Sequence, residues 1–479
     1  MRVDRIRPGR IIVVIAALAL LASACTTAAS PAPATTAPAT TAPATTAPSE
    51  APTATVAPTP GPPVTVCELA YYTGTFAAYG PSLTNDVRFA VEDVIDKDPP
   101  LGRPWVLVSE DIGDDHEGAA AKICLEKHGA EILDSIAHQY RTYRDYMIEY
   151  WQENDSPLGP SVHGGAIPGN LGGKAAEPIF RAQGSDEALG TYASLYAQSI
   201  GAKKLVIFAT QVPGFQLAAD AAQKAAGALG ITDVTRINAQ GTQPSYRAEV
   251  QKIKNLNPDA VIVEAGSTES AALIKGAAEA GMSLYWIGET GWSEAEFIKT
   301  LGTAPIASQK SIGFPSYAPN KSTKAWAFYQ PLWDGQKNCA AGVASCPPYD
   351  ATNQYAFSTY DLYVQTALAV EMAGSYKASA WAPAMFKVGD PPGEICYTYP
   401  DCLALIRLGK DIDYEGVTGP GTYTTGGVNA VTPAYIPFKA DGTADEAVLL
   451  DAQKGLELFE LVKTEAKCKP ADPPNKCQW

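Results

Sequence analysis

Residues 67–95 read CELAYYTGTFAAYGPSLTNDVRFAVEDVI. The apolar run 64–70 that enters this stretch predicts a buried strand, and a loop of Thr, Gly, Ala and Tyr follows it. Pro81 then opens a helix, because its fixed φ suits a first turn and its missing N–H costs nothing there. Leu83, Val87, Ala90, Val91, Val94 and Ile95 recur at helical spacing. A strand that enters a helix through small residues aims backbone N–H groups, and the positive end of the helix, at whatever lies above the sheet. Such a unit suits a small polar ligand. Taken alone, it equally describes the first βα unit of any α/β domain.

Downstream, strands over 105–109, 131–137, 156–163, 203–209, 234–238, 259–264 and 284–288 alternate with helices over 117–127, 141–153, 186–199, 215–229, 246–256 and 269–280. Asn257-Pro258 marks a turn, and Ser293 with Glu296 makes a capping box for one more helix. Strict alternation implies an α/β fold of doubly wound parallel sheets, and there are too many βα units for one small sheet. Two similar lobes are expected. Later, helices are expected over 320–333, 353–373 and 451–466, and strands within 414–429 and 434–439. Segments 338–348 and 389–402 read as loops stapled by short disulfides.

The chain has 479 residues, 46% hydrophobic and 18% charged, which calls for a folded body of more than one unit. Arg2, Arg5, Arg7 and Arg10 precede an apolar run at 11–21 and then Ala22-Ser23-Ala24-Cys25, a secretory signal too short to be a stable spanning helix. Cleavage before Cys25 leaves a cysteine at the new N-terminus, as in bacterial lipoproteins, although Leu21 stands one place further from the cysteine than those signals prefer. Ala22-Ser23-Ala24 also suits an ordinary signal peptidase cutting at the same bond.

Nine cysteines become eight once Cys25 is set aside, and eight can all pair in an oxidising compartment. Cys339 with Cys346, Cys396 with Cys402, and Cys468 with Cys477 are close in sequence, which leaves Cys67 for Cys124. Zinc is the rival reading, but no two cysteines stand at knuckle spacing. The formal charge is −15, and loss of residues 1–24, with four Arg and one Asp, leaves the remainder more acidic still. A body of that charge repels phosphate backbones, so nucleic acid is excluded as a partner.

Residues 26–63 are built of Thr, Ala and Pro with a five-residue repeat and have little to bury. They read as a semi-extended tether. At about 3.1 Å per residue it spans on the order of 100 Å.

Several patterns invite a chemical reading. Residues 164–174, GGAIPGNLGGK, fail as a phosphate loop because Pro168 replaces the first glycine and Ala175 follows the lysine. Asp111, Asp114, Asp115 and His116 are candidate metal ligands or, more simply, an acidic solvated loop. No Gly-x-Ser-x-Gly nucleophile elbow occurs. Tyr79, Tyr140, Phe215 and Trp292 are candidate walls for a ligand or ordinary core aromatics. Arg141 or Arg144 can pair with an anionic group or lie on a solvated helix face. His138 and His163 stand at predicted strand ends that face a cleft. Neither a metal nor a cofactor is expected.

Four segments, in order, resemble the extracellular solute-binding proteins of the leucine/isoleucine/valine-binding type, with type I periplasmic-binding-protein topology. They are Tyr72-Thr73-Gly74 through Ala78-Tyr79-Gly80; Phe180-Arg181 into Ser185-Asp186; Asn257-Pro258-Asp259-Ala260-Val261 through Ala280-Gly281 to Trp286-Ile287-Gly288; and Tyr414-Glu415-Gly416-Val417-Thr418-Gly419-Pro420. The resemblance implies two α/β lobes joined by three crossovers, with 64–183 and 316–420 in lobe 1 and 184–315 and 421–467 in lobe 2. Residues 1–24 would be the signal, 25–63 a lipid-anchored linker, and 468–479 a disulfide-stapled tail.

It implies a non-enzymatic, monomeric protein on the outer side of the membrane that closes on an amino acid or a related amide or carboxylate. The solute would pass to an ABC permease and its ATPase. A sensor with the same fold, or a secreted α/β hydrolase, are the alternatives. Carried over by position, the ligand contacts fall on Thr73, Tyr79, Gln139, Tyr140, His163, Gly164 and Gly165 in lobe 1. In lobe 2 they fall on Gln211, Phe215, Glu264, Glu289 and Thr290. The family's carboxylate-holding hydroxyls are replaced here by His138-Gln139-Tyr140-Arg141 and His163-Gly164-Gly165. The places of its ammonium-binding tyrosines and acid fall near Pro213, Gly266 and Thr290, where Gln211, Glu264 and Glu289 are close enough to substitute.

Overall fold

Val64–Ala70 forms strand β1, the middle strand of its sheet, and it is buried almost throughout. A computed structural model describes residues 61–74, 76–77, 79–136, 138–162, 167–336, 350–429, 431–468 and 477–478. In it β1 pairs in parallel with β2 (Trp105–Asp111) and β3 (Ile132–Asp134), in register Cys67↔Val108 and Glu68↔Asp134. The chain continues outward through β4 (Gly159–Ser161) and β5 (Ile179–Arg181), a parallel pair joined to β3 by Leu133 N–H donating to Leu158 at 2.9 Å. The helix predicted at Pro81 is Gly80–Arg88, continued by the wider turns of Phe89–Val94.

A second sheet holds seven strands. In chain order these are β6 (Lys204–Thr210), β7 (Asp233–Ala239), β8 (Ala260–Glu264), β9 (Tyr285–Ile287) and β10 (Ser311–Tyr317), then two from much later. Before those come the short parallel pair β11 (Glu394–Cys396) and β12 (Ile412–Tyr414). The late members are β13 (Pro433–Pro437) and β14 (Val448–Leu449), giving the spatial order β14-β13-β10-β9-β8-β6-β7. Strands β6 to β10 run parallel, whereas β13 and β14 are antiparallel additions. Leu205, Ile207 and Ala209 face one core while Val206 and Phe208 face another. Helices therefore cover both faces, which is why these strands read as continuous apolar runs.

The chain crosses between the lobes after β5, after β10 and between β12 and β13. Arg181 ties the first and third crossings together. Its buried guanidinium donates to the carbonyls of Ile167, Leu171 and Gly426 at 2.7, 3.1 and 3.1 Å, and its backbone pairs with Gly427 and Asn429. Asp361, fully buried on the helix Gln354–Ala373, accepts from Tyr414 Oη (2.7 Å), Val417 N (3.1 Å), and Thr418 N and Oγ1 (both 2.6 Å).

Several expectations need correction. Strand β10 was not read from sequence, because Gly313 and Pro315 break its pattern; Gly313 is needed there, since a Cβ would lie 2.3 Å from the Ile436 carbonyl oxygen. The supposed loop 389–402 contains β11 and the start of a helix, Tyr399–Arg407, capped by Thr398 accepting from Asp401 N. The helix Ala378–Met385 was also missed. Late strands within 414–429 reduce to the end of β12 and isolated bridges, in a run broken by five glycines. The capping box of Ser293 and Glu296 does not form: Glu294 occupies the N-cap of Ala295–Leu301, and its helix has no side-chain cap.

Disulfides join Cys67 to Cys124, Cys396 to Cys402 and Cys468 to Cys477. Cys25, Cys339 and Cys346 lie outside the described residues, as do the signal and most of the tether. Among the described residues no helix is long and apolar enough to cross a membrane, and no group of three or more acidic, His or Cys side chains could hold a metal.

Candidate functional site

The C-terminal edges of the strands in both lobes converge on one cavity of about 90 Å³, several times what a single water needs. From the first lobe, Tyr71, Phe76 and Tyr79 belong to the segment that follows β1, and His138 stands after β3. Tyr355, in the first turn of Gln354–Ala373, completes this wall. Gln183, Gly184, Asp186 and Leu189 line it from the first crossing and the helix Asp186–Ser199. The second lobe contributes Val212, Gly214, Phe215 and Ala218 after β6, Glu264 at the end of β8, and Glu289 and Thr290 after β9.

The aromatic rings support one another edge to face. Tyr79 and Tyr355 lie 6.0 Å apart at 84°, and Tyr71 and Phe76 lie 5.3 Å apart at 63°. His138 is fixed on two sides: Phe76 stacks on its ring at 5.0 Å, and Tyr71 Oη lies 2.8 Å from its Nδ1. Thr290 Oγ1, from the second lobe, reaches Tyr355 Oη at 3.2 Å.

Three carboxyl groups share this space. Burial pushes the Glu289 carboxyl up to about 8, although its Oε2 accepts from Gly291 N at 2.7 Å. Glu264 is only 2% exposed, and burial, with Glu289 and Asp186 nearby, holds it well above the ordinary range. Asp186 is raised by burial and partly relieved by His138, whose Nε2 is 3.9 Å from its Oδ2, and by Arg181. Among the described residues, Glu264 Oε1 and Asp186 Oδ2 are buried without a hydrogen-bond partner. No lysine or arginine is among the described lining residues. A mixture of aromatic walls and a few polar groups suits binding of a compact solute.

Of the residues proposed from sequence, Tyr79, Phe215, Glu264, Glu289 and Thr290 come together here. Four others lie elsewhere for evident reasons. Thr73 is exposed and turned to Asp111, donating to it from both N (3.1 Å) and Oγ1 (2.6 Å). Gln139 is exchanged with Glu117, each backbone N–H donating to the other's side chain. Tyr140 is buried, with Oη donating to Glu177 at 2.7 Å, and the same carboxylate takes Arg144, so that aromatic and that arginine form an internal network. Gln211 is exposed. His163, Gly164 and Gly165 lie outside the described residues. Trp292 is not a wall of the cavity; it is fully buried and stacked on Phe297 at 4.4 Å.

Sequence reading missed Tyr71, Phe76, Asp186 and Tyr355. The first two stand in the loop after the first strand, and Asp186 opens the helix after a crossing, so position alone marks them. Tyr355 has no local signal; only the fold brings it to Tyr79.

Comparison with known proteins agrees with this architecture. No curated protein matches the chain. Among solved structures it is similar to the leucine-binding protein LivK of Thermotoga maritima, with a TM-score of 0.61 and 17% identity over 81% of this chain and 99% of that one. LivJ of Streptococcus pneumoniae in complex with isoleucine gives 0.59 and 16% identity over 81% and 99%. A solute-binding protein of R. palustris in complex with benzoate gives 0.57 and 16% identity over 81% and 96%. These likenesses establish the shared fold. The family model for periplasmic binding protein matches residues 63–436, well over half of the chain. With two parallel-sheet lobes, three crossings and a cavity where they meet, the chain belongs to the periplasmic binding protein family, whose members bind rather than transform their ligands.

Proposed function

We propose that this protein is the extracytoplasmic solute-binding subunit of an ABC importer. It captures one small polar solute by closing its lobes and presents it to a membrane permease and its ATPase. The observation that carries this reading is the shared cavity, where Phe76, Tyr79 and Tyr355 meet Phe215, Glu264, Glu289 and Thr290 across the two lobes. Strand ends that converge on a crevice are where open α/β sheets hold ligands. Hinge closure around such a crevice brings both walls onto the guest. Neighbours of the same fold are described with leucine, isoleucine or benzoate.

The rest of the chain fits that task. Residues 1–24 export it, Cys25 carries a lipid, and the Thr/Ala/Pro-rich tether lets the lobes leave the membrane surface without diffusing away. The three disulfides suit an oxidising compartment. A thermal-shift screen of amino acids, amides, short carboxylates and polyamines tests the reading. Its own solute raises Tm in proportion to the logarithm of concentration, since occupancy at about 100 times Kd adds about 2.7 kcal/mol. If no solute stabilises the protein, and it instead turns over an ester or glycoside, the reading is wrong.

A further inference from the structure

We infer that the cavity between the lobes takes an organic cation, a compact amine of net positive charge, in preference to a zwitterionic α-amino acid or an aromatic carboxylate. The inference rests on the capture reading above and narrows its solute class. It starts from charge. Asp186, Glu264 and Glu289 line the cavity, while His138 is the one basic side chain among the described lining residues.

The second observation concerns hydrogen bonding. Glu264 is 98% buried at the end of β8, and its Oε1 has no hydrogen-bond partner among the described residues; nor does Asp186 Oδ2. A buried acceptor left unpaired is costly unless a donor is meant to arrive. A protonated amine brings two or three donors and the charge that matches these oxygens. The third observation is the wall, because Tyr71, Phe76, Tyr79, Phe215 and Tyr355 offer the rings that hold ammonium groups by cation–π attraction. A carboxylate-bearing guest would instead set its own negative charge beside three acids and oppose their ionisation.

The electrostatics give this class a distinctive signature. Burial keeps Glu289 protonated to about pH 8, and Glu264 and Asp186 are raised as well. The groups facing them are His138, Glu294, Arg236 and Arg181, together with Tyr71, Tyr79 and Tyr355, whose hydroxyls burial keeps neutral. An entering cation favours the ionised carboxylates, so binding expels protons. Affinity for an amine therefore rises with pH, by at most about tenfold per unit for each proton released, until the amine itself loses its charge. A neutral amide shows no such rise, and an anion shows the reverse.

Titration calorimetry on the signal-processed protein at pH 6.0 and pH 8.0 decides the matter, with benzylamine, 1,4-diaminobutane and choline as cations and acetamide, leucine and benzoate as controls. The inference expects at least one cation to bind more tightly than every control and to gain affinity at the higher pH. Glu264→Gln should weaken that cation about 10- to 100-fold. Glu289→Gln is the second variant should the first not fold, with the same expectation. Binding of a control with no cation bound overturns the inference and leaves solute capture standing. So does cation binding that is unchanged by pH and by both variants. Heats absent for all six probes, with the protein folded, count against both.

Discussion

Glu68 and Asp134 are register partners on β1 and β3, almost wholly buried, and among the described residues no lysine or arginine is one of the main groups that act on either. Burial, with Asp134 beside it, pushes Glu68 up to about 8, against partial relief from Ser109 Oγ at 2.8 Å and Thr84 Oγ1 at 3.1 Å. Asp134 is pushed to about 7, mainly by burial. Both folded-state values lie above the unfolded ones. Their contribution is therefore fully present below about pH 4 and is lost as pH rises through about 7 and 8. In that window the native chain keeps protons that the unfolded chain has shed, and each one kept lowers stability by about 1.4 kcal/mol per pH unit.

Glu68→Gln removes one such group in a side chain of the same shape. The stability of the variant should fall less steeply than that of the parent, by about 1.4 kcal/mol per pH unit between pH 5 and pH 8, or about 4 kcal/mol over the whole interval. Glu264, another buried acid, titrates in both proteins and cancels in the difference, whereas Asp86, raised by burial and also by Glu68, is relieved in the variant and flattens its line further in the same direction. Because the amide loses one accepted hydrogen bond, at a cost of about 1 kcal/mol, the parent is the more stable at pH 5 and the variant at pH 8. Urea unfolding followed by tryptophan fluorescence at four pH values gives both lines. Parallel lines, or a parent that gains stability from pH 5 to pH 8, would refute the reasoning.

Three further outcomes are expected. Asp361→Ala strips four donors of the crossover at Tyr414, Val417 and Thr418 of their buried acceptor and should cost about 3 to 5 kcal/mol in urea unfolding; a loss below 1 kcal/mol would show that water replaces it. Glu177→Gln leaves the buried Arg144 guanidinium without the opposing charge now 2.7 Å from its Nε, and a cost of about 3 to 5 kcal/mol is expected from the same assay, with little change in solute affinity because the pair lies off the cavity. Cys25→Ser should move the protein from the membrane fraction to the medium without changing its Tm; retention in the membrane would mean that the lipid is not the anchor.

Much of the fold was legible because parallel strands buried on both faces are apolar throughout. The run KLVIFA at 204–209 and AVIVE at Ala260–Glu264 needed no context, and the helix Asp186–Ser199 was bounded correctly from its pattern. What escaped was structure built on punctuating residues. Gly313 and Pro315 sit inside a real strand because tertiary packing overrides local preference there, whereas Pro400 stands in the first turn of a real helix, where proline is at home, and was passed over because it lies in a Pro- and Cys-rich run. The false capping box arose because Ser293 belongs to the preceding tight turn, Thr290–Ser293, so the helix begins after Glu294. In the cavity, Glu264 and Glu289 could be placed from their adjacency to strand ends. Tyr140 was misplaced because a helix turns it inward to Glu177, and Tyr355 was invisible because its partner Tyr79 belongs to a distant segment.

Hydrogen exchange followed by mass spectrometry, with and without saturating solute, tests most directly whether two lobes close on one guest. The expected result is slower exchange on both sides at once: in peptides containing Phe76 and Tyr79, and in peptides containing Phe215 and Thr290, with the outer strands β7 and β14 unchanged. Protection confined to one lobe, or no protection by a solute that demonstrably binds, would contradict capture between them.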